Sequence, residues 1–204
     1  MGTVIIQGLS ERGYQELESD GKTRYLVGID AGHHKIHEGD HFLASRRVVK
    51  GDTEVEEILI DTPNTNEEAH MTIIIKASAA ADVDVFRFSG KDYVGANALL
   101  TINRNQNSDE TPTTKTCHTP GGSGPGEQIF EAYVGANEGP VKIGGEVRGD
   151  SEIILKLATK YLIRITSGAA GNRITTLLDW YEHEDTILVT STTSTTTTTT
   201  TTTV

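Results

Sequence analysis

The sequence predicts an all-β protein: a single β-sandwich of jelly-roll type, with an extended N-terminal arm and a Thr-rich C-terminal tail. Three observations carry this prediction. Turn chemistry recurs densely, at Gly39-Asp40, Gly51-Asp52, Pro63-Asn64, Ser89-Gly90, Asn103 to Asp109, Pro120 to Gly126, Gly135 to Pro140, Gly149-Asp150 and Gly168 to Gly171. Between these turns lie short β-branched and aromatic runs, recurring roughly every 8–15 residues, as a sandwich, jelly roll or barrel requires. No window carries a long helical period.

The elements follow in order. Residues 1–24 read as an arm, polar and Gly-punctuated, with a small apolar patch at Val4, Ile5 and Ile6. Residues 25–185 make the sandwich domain. Tyr25 to Ile29 is a short apolar strand stopped by Asp30-Ala31-Gly32. Val55 to Ile60 and His70 to Lys76 are further strands. Asp82-Val83-Asp84-Val85 alternates polar and apolar, as a half-buried strand does. The apolar parity changes at Phe86-Arg87-Phe88, which predicts a β-bulge near Val85. Ile129 to Val134 is another strand. Lys160 to Thr166 sets Tyr161, Ile163 and Ile165 on one face and Leu162 and Arg164 on the other. Ile174 to Tyr181 is the last strand and carries the sole Trp, Trp180, into the core. Ser151 to Leu157 reads equally as a helical turn or a strand. No internal repeat is present.

Residues 186–204 are a tail. Thr186-Ile187-Leu188-Val189 leads into a Thr/Ser run that ends in nine consecutive Thr, Thr195 to Thr203. Three readings stand. The run buries nothing on its own and reads as a disordered low-complexity tail. Thr also has high β propensity, so the tail can be a strand donated to the sheet edge of a neighbouring subunit. O-glycosylation would instead keep it extended and solvated.

Composition narrows the function classes. The net charge is −11, from 18 basic and 29 acidic residues, and no basic run is longer than Arg46-Arg47. Nucleic-acid binding and attraction to an anionic membrane both need clustered cations, so neither is expected. One cysteine, Cys117, gives no intrachain disulfide. No run approaches the roughly 18 apolar residues of a membrane helix. The N-terminal residues lack a basic region and an apolar core of signal-peptide length. Gly2 fails the myristoylation pattern because Ile6 stands where Ser or Thr is needed.

The strongest chemical constellation is His33, His34, His37 and His41 among Asp30, Glu38 and Asp40. On a helix, His33 and His37, and His37 and His41, would share a face, making His33, His37 and His41 weak metal-ligand candidates. Gly32 and Gly39 flank the segment and argue against a helix of useful length. The zincin pattern also fails, since His34 rather than Glu follows His33. The plainer expectation is surface or turn histidines, placed at an interface where titration near pH 6–7 would make assembly pH-sensitive. Cys117 and His118 are adjacent on a strand, point to opposite faces and cannot form a dyad. Gly121 to Gly126 lacks the Lys and Ser/Thr of a phosphate loop and reads as a flexible surface loop. Asp82 and Asp84 share a strand face and read as solvated. Asn103, Asn105 and Asn107 mark a turn, and Glu146 with Arg148 reads as an ion pair or interface contact. No catalytic residue and no cofactor is expected.

Several motifs recur in a familiar order: His33-His34-Lys35-Ile36-His37 with Gly39, Asp61-Thr62-Pro63-Asn64-Thr65, and Leu100-Thr101-Ile102-Asn103-Arg104-Asn105. Then come His118-Thr119-Pro120-Gly121-Gly122, Gly144-Gly145-Glu146-Val147-Arg148-Gly149, Thr159-Lys160-Tyr161-Leu162 and Asp179-Trp180-Tyr181-Glu182-His183. Together, over residues 25–185, they resemble a family of small virion structural proteins of tailed bacteriophages. The resemblance implies a β-sandwich that oligomerises on a particle, as a head decoration or fibre-like component, without catalytic residues. The arm and the tail fall outside it.

The expected function is that of a non-enzymatic, self-assembling structural subunit of an extracellular particle, a bacteriophage virion protein. Its partners would be copies of itself and other virion proteins, and its location a virion or an extracellular filament. Val4, Ile5 and Ile6 and Ile187, Leu188 and Val189 are the expected assembly contacts. A helical extracellular filament or pilus-like fibril held by terminal-arm strand exchange is one alternative, because a heterologous contact that does not close gives a filament. A ligand-binding β module is another, although aromatics, the usual platform of such modules, are 5% of the chain.

Overall fold

The computed structural model describes residues 31–135, 141–143 and 152–184. Helix α1 (Ala31–Glu38) opens the described chain. Strands β1 (His41–Lys50), β2 (Val55–Asp61), β3 (Glu67–Ala77) and β4 (Ala81–Arg87) follow, the first two connections at the predicted turns Gly51-Asp52 and Pro63-Asn64 and the third through residues 78–80. An excursion then runs through β5 (Lys91–Asp92), a 3-10 turn (Gly95–Asn97), β6 (Thr101–Asn103), β7 (Lys115–His118) and β8 (Gly121–Gly122). The described chain closes with β9 (Glu127–Val134), β10 (Val141–Ile143), β11 (Ile153–Leu155), β12 (Lys160–Ser167) and β13 (Asn172–Glu184). Ser151 to Leu157, ambiguous in sequence, therefore contributes a short strand. The predicted strand Tyr25 to Ile29 lies outside the described residues.

The strands form two large antiparallel sheets. The first has the order β10-β3-β13-β1-β6, with β11 also on β3; the second has β7-β2-β12-β4-β9. β13, the longest strand, is the spine of the first sheet, paired along its length with β1 and β3. Its alternation explains why it forms. Asn172, Ile174, Thr176, Leu178 and Trp180 are buried, with partly buried Thr175, Leu177 and Asp179 between them.

One core lies between the sheets. Phe42, Met71, Ile73, Ile75, Ile174, Leu178 and Trp180 from the first sheet join Ile58, Ile60, Val83, Val85, Tyr161, Ile163 and Ile165 from the second. Each fully buried aliphatic or aromatic side chain there contributes about 1.5–3 kcal/mol relative to exposure.

A second apolar row stands on the other face of the second sheet. Cys117, Leu59, Leu162 and Phe86 are neighbours across β7, β2, β12 and β4, and all are buried. The excursion packs over them. Ser89 N–H donates to Lys160 O, and the Val94 backbone hydrogen-bonds the Cys117 sulfur. Leu162 shares the face of its strand with Arg164, opposite Tyr161, Ile163 and Ile165, and this cover is why it is buried.

The predicted bulge falls at Val85/Phe86, where the pairing of β4 with β9 slips. Val85 pairs with Phe130 and Phe86 with Gln128, so the extra residue, Ile129, belongs to β9. The parity of β4 itself does not flip: Phe86 is apolar because it belongs to the covered outer row.

Candidate functional site

The histidine cluster of the sequence divides. α1 forms with Gly32 inside its first turn, and Gly39, at φ 92°, ends it in the left-handed conformation and donates to Lys35 O and Ile36 O. The expectation that Gly39 opposes a helix is thereby corrected: it caps one. His33 and His37 meet on this helix, Nε2 to Nε2 at 3.1 Å. His41 does not join them. It begins β1, lies 2.5 Å from Asp179 Oδ1 and is buried. Among the described residues no three His, Cys, Asp or Glu side chains converge as a metal site.

His41 instead opens a polar row on the outward face of the first sheet. His41, Tyr181 and His70 are direct register neighbours across β1, β13 and β3. Their chain neighbours Phe42, Trp180 and Met71 point into the core, so strand alternation turns these three outward. All three are nevertheless buried. Tyr181 stacks on His70, ring centres 4.8 Å apart and planes 20° apart. Its hydroxyl donates to Glu152 Oε1 at 2.6 Å, and His70 Nδ1 lies 2.9 Å from the same oxygen. His70 Nε2 meets His183 Nε2 at 2.8 Å. At the other end Arg104 reaches both His41 Nε2 and Asp179. The result is one connected chain, Arg104–Asp179–His41–Tyr181–Glu152–His70–His183.

His183 also lines a cleft where α1 meets the ends of β1, β3 and β13. Asp40, Glu67, Glu110, Glu182 and Glu184 face the same cleft, with Lys35. Burial alone would lower the Lys35 pKa, but hydrogen bonds and charge from Glu38 and Asp40 outweigh it and hold the ammonium above its ordinary value. Glu182 is buried yet satisfied: it accepts from Thr113 N–H and hydroxyl, Thr114 N–H and Trp180 Nε1. It therefore ties the segment between β6 and β7 onto β13.

Among the described residues, exposed apolar side chains stand on several strands at the sheet edges, while Val49 on β1, Val55 on β2 and Phe88 after β4 are exposed elsewhere. Ile102 stands on β6, Ile129 and Tyr133 on β9 and Ile154 on β11, with Leu100, 80% exposed, immediately before β6. Among the described residues, β9 pairs on one side only, with β4.

Other sequence readings resolve individually. Cys117 is fully buried and His118 half-buried on the opposite face; burial pushes the thiol pKa up. Gly121 to Gly126 is not a free loop but pairs back: Gly121–Gly122 form β8 on β5, and Gly122, Gly124 and Gly126 all have positive φ. Asp84 accepts from Gln128 on β9, and Asp82 is exposed. Asn103 and Asn105 each accept the backbone N–H two residues on, the turn chemistry expected of them. Val4, Ile5, Ile6, Glu146, Arg148, Ile187, Leu188 and Val189 lie outside the described residues.

The polar row was missed in sequence because its members lie far apart in the chain. The one local signal was Asp179, Tyr181 and His183 alternating with Trp180. Compared with known proteins, the chain matches no family model, no curated protein and no solved structure.

Proposed function

We propose that this protein is a non-enzymatic, self-assembling structural subunit of an extracellular particle, with a bacteriophage virion as that particle. The observation that carries the self-assembly reading is the placement of exposed apolar side chains on edge strands β6, β9 and β11. Edge strands present unpaired N–H and C=O groups, and soluble proteins usually protect them with charge or proline. Here Ile129 and Tyr133 line β9, which invites lateral contact with another copy. The virion assignment rests on the ordered motifs over residues 25–185.

The strand order supports a jelly roll. Setting aside β6 and β7, which the excursion adds at one side, and counting β10 and β11 as one position, eight strand positions of the two large sheets remain, in chain order β1, β2, β3, β4, β9, β10/β11, β12 and β13. One sheet then reads first-eighth-third-sixth and the other second-seventh-fourth-fifth. A jelly roll, a double Greek key with that strand order, is the architecture of viral capsid domains, and also of lectins and cupins. Cupins hold a ligand between the sheets. Here Trp180, Met71 and isoleucines fill that space, which favours a structural part. The filament alternative shares the same edge at β9, unpaired among the described residues, and differs only in whether the contact closes.

Negative-stain electron microscopy of the full-length protein tests the reading. Regular rings, sheets or filaments are expected, and Tyr133→Lys with Ile129→Lys should abolish them while the circular dichroism spectrum is unchanged. A monodisperse monomer at every concentration sinks the self-assembly reading.

A further inference from the structure

We propose that His70 and His183 form a two-imidazole binding site for a divalent transition-metal cation such as Zn2+. The two Nε2 atoms face each other at 2.8 Å across β3 and β13. Glu152, an acceptor when ionised, fixes the tautomer: it takes the Nδ1 proton of His70 at 2.9 Å. The Nε2 of His70 therefore carries a lone pair. A carboxylate behind the remote nitrogen is the usual support of a metal-bound histidine, since it orients the ring and raises its basicity. Tyr181 adds a second brace, donating to the same Glu152 oxygen and stacking on the His70 ring.

In the pair as it stands, His183 Nε2–H donates to His70 Nε2. A cation takes the place of that proton, and neutral His183 carries its proton on Nδ1 instead. Metal–nitrogen bonds of about 2.0–2.1 Å at tetrahedral angles set the nitrogens roughly 3.3–3.4 Å apart. The pair must then open by roughly 0.5 Å. His183 is next to the last residue of β13 and half-buried, so it is the ring that moves. Water fills the remaining coordination positions.

The surroundings favour a cation. His183 lines the cleft with Asp40, Glu67, Glu110, Glu182 and Glu184, while Lys35, the one ammonium there, is engaged by Glu38 and Asp40. Glu67 Oε2 is buried in this region without a hydrogen-bond partner. The His33–His37 pair on α1 is exposed and serves as an internal comparison.

The test is a Zn2+ titration of the metal-free full-length protein, followed by NMR of its seven histidine rings. The His70 and His183 resonances should move together and saturate at one equivalent. The melting temperature should rise with Zn2+ in the wild type but not in His183→Gln, whose amide still donates to His70. Glu152→Gln, a change at a positioning residue, should weaken binding roughly 10–100-fold. The proposal is overturned if the wild-type His70 and His183 resonances stay still in excess Zn2+ while only His33 and His37 respond. It is equally overturned if the thermal shift persists in His183→Gln.

Discussion

Glu57 shows how a single carboxylate can set the acid limit of this molecule. Burial pushes its pKa up, but hydrogen bonds and charge from Lys91 and Arg164 outweigh burial and hold it below the ordinary carboxylate value. Arg164 reaches Oε1 at 2.8 Å and Lys91 reaches Oε2 at 2.9 Å. Because the folded pKa lies below the unfolded one, the stabilisation is fully present above about pH 4.3. It is lost as pH falls through the folded value. Glu57→Gln should lower stability by about 1–2 kcal/mol at neutral pH. Urea midpoints taken from pH 7 to pH 3 should converge for the two proteins at the acid end. Glu182 matters more. Glu182→Ala orphans the buried N–H groups of Thr113, Thr114 and Trp180, and should destabilise by roughly 3 kcal/mol or more. Hydrogen exchange should accelerate in residues 104–114 beyond the global change, because that carboxylate ties them to β13.

At the scale of elements, the excursion between β4 and β9 is built on glycine geometry. Gly126 has φ 99°, and a Cβ there would stand 2.9 Å from Phe88 C and closer still to Arg87 O. Gly124 has φ 87° with nothing near a Cβ. Gly124→Ala should therefore lose only the left-handed backbone preference, about 1 kcal/mol. Gly126→Ala adds a backbone collision and should lose more, about 2–4 kcal/mol. Thermal melts of the two variants, ranked against wild type, check this; equal losses would mean that the contact at Gly126 relaxes freely. The same excursion explains why Leu59, Leu162 and Phe86 are apolar on a face that alternation alone assigns to solvent.

At the scale of the whole molecule, the two sheets close over one core, and the excursion adds β6 and β7 to one side of it. The opposite side ends in β9 and in β10 with β11, where Ile129, Tyr133 and Ile154 are exposed. Deleting Thr186 to Val204 should leave a folded protein, since among the described residues every strand of both sheets lies before residue 185. Under the donated-strand reading the truncated chain should be a monomer by sedimentation velocity. Normal assembly of the truncated chain would instead exclude the tail as the contact and leave the N-terminal patch and the edge strands.

Alternation and turn chemistry are local, and the sequence by itself therefore determined the all-β class, the positions of β2, β3, β4, β9, β12 and β13 and the inward residues of β4 and β12, but not the strand β1 (His41–Lys50). It also pointed to an irregularity near Val85, but for the wrong reason: the parity of β4 does not change, and the pairing slips because of an extra residue on β9. What pairs with what is not local. Only the tertiary structure decided that the bulged residue is Ile129 on β9, that His41 leaves His37 for Asp179, and that Gly39 ends a helix rather than preventing one. The His70–Glu152–Tyr181–His183 contacts join residues 29 to 113 positions apart in the chain. They come together because strand pairing sets β13 between β1 and β3, and a single chain window carries no signal of its neighbours in the sheet.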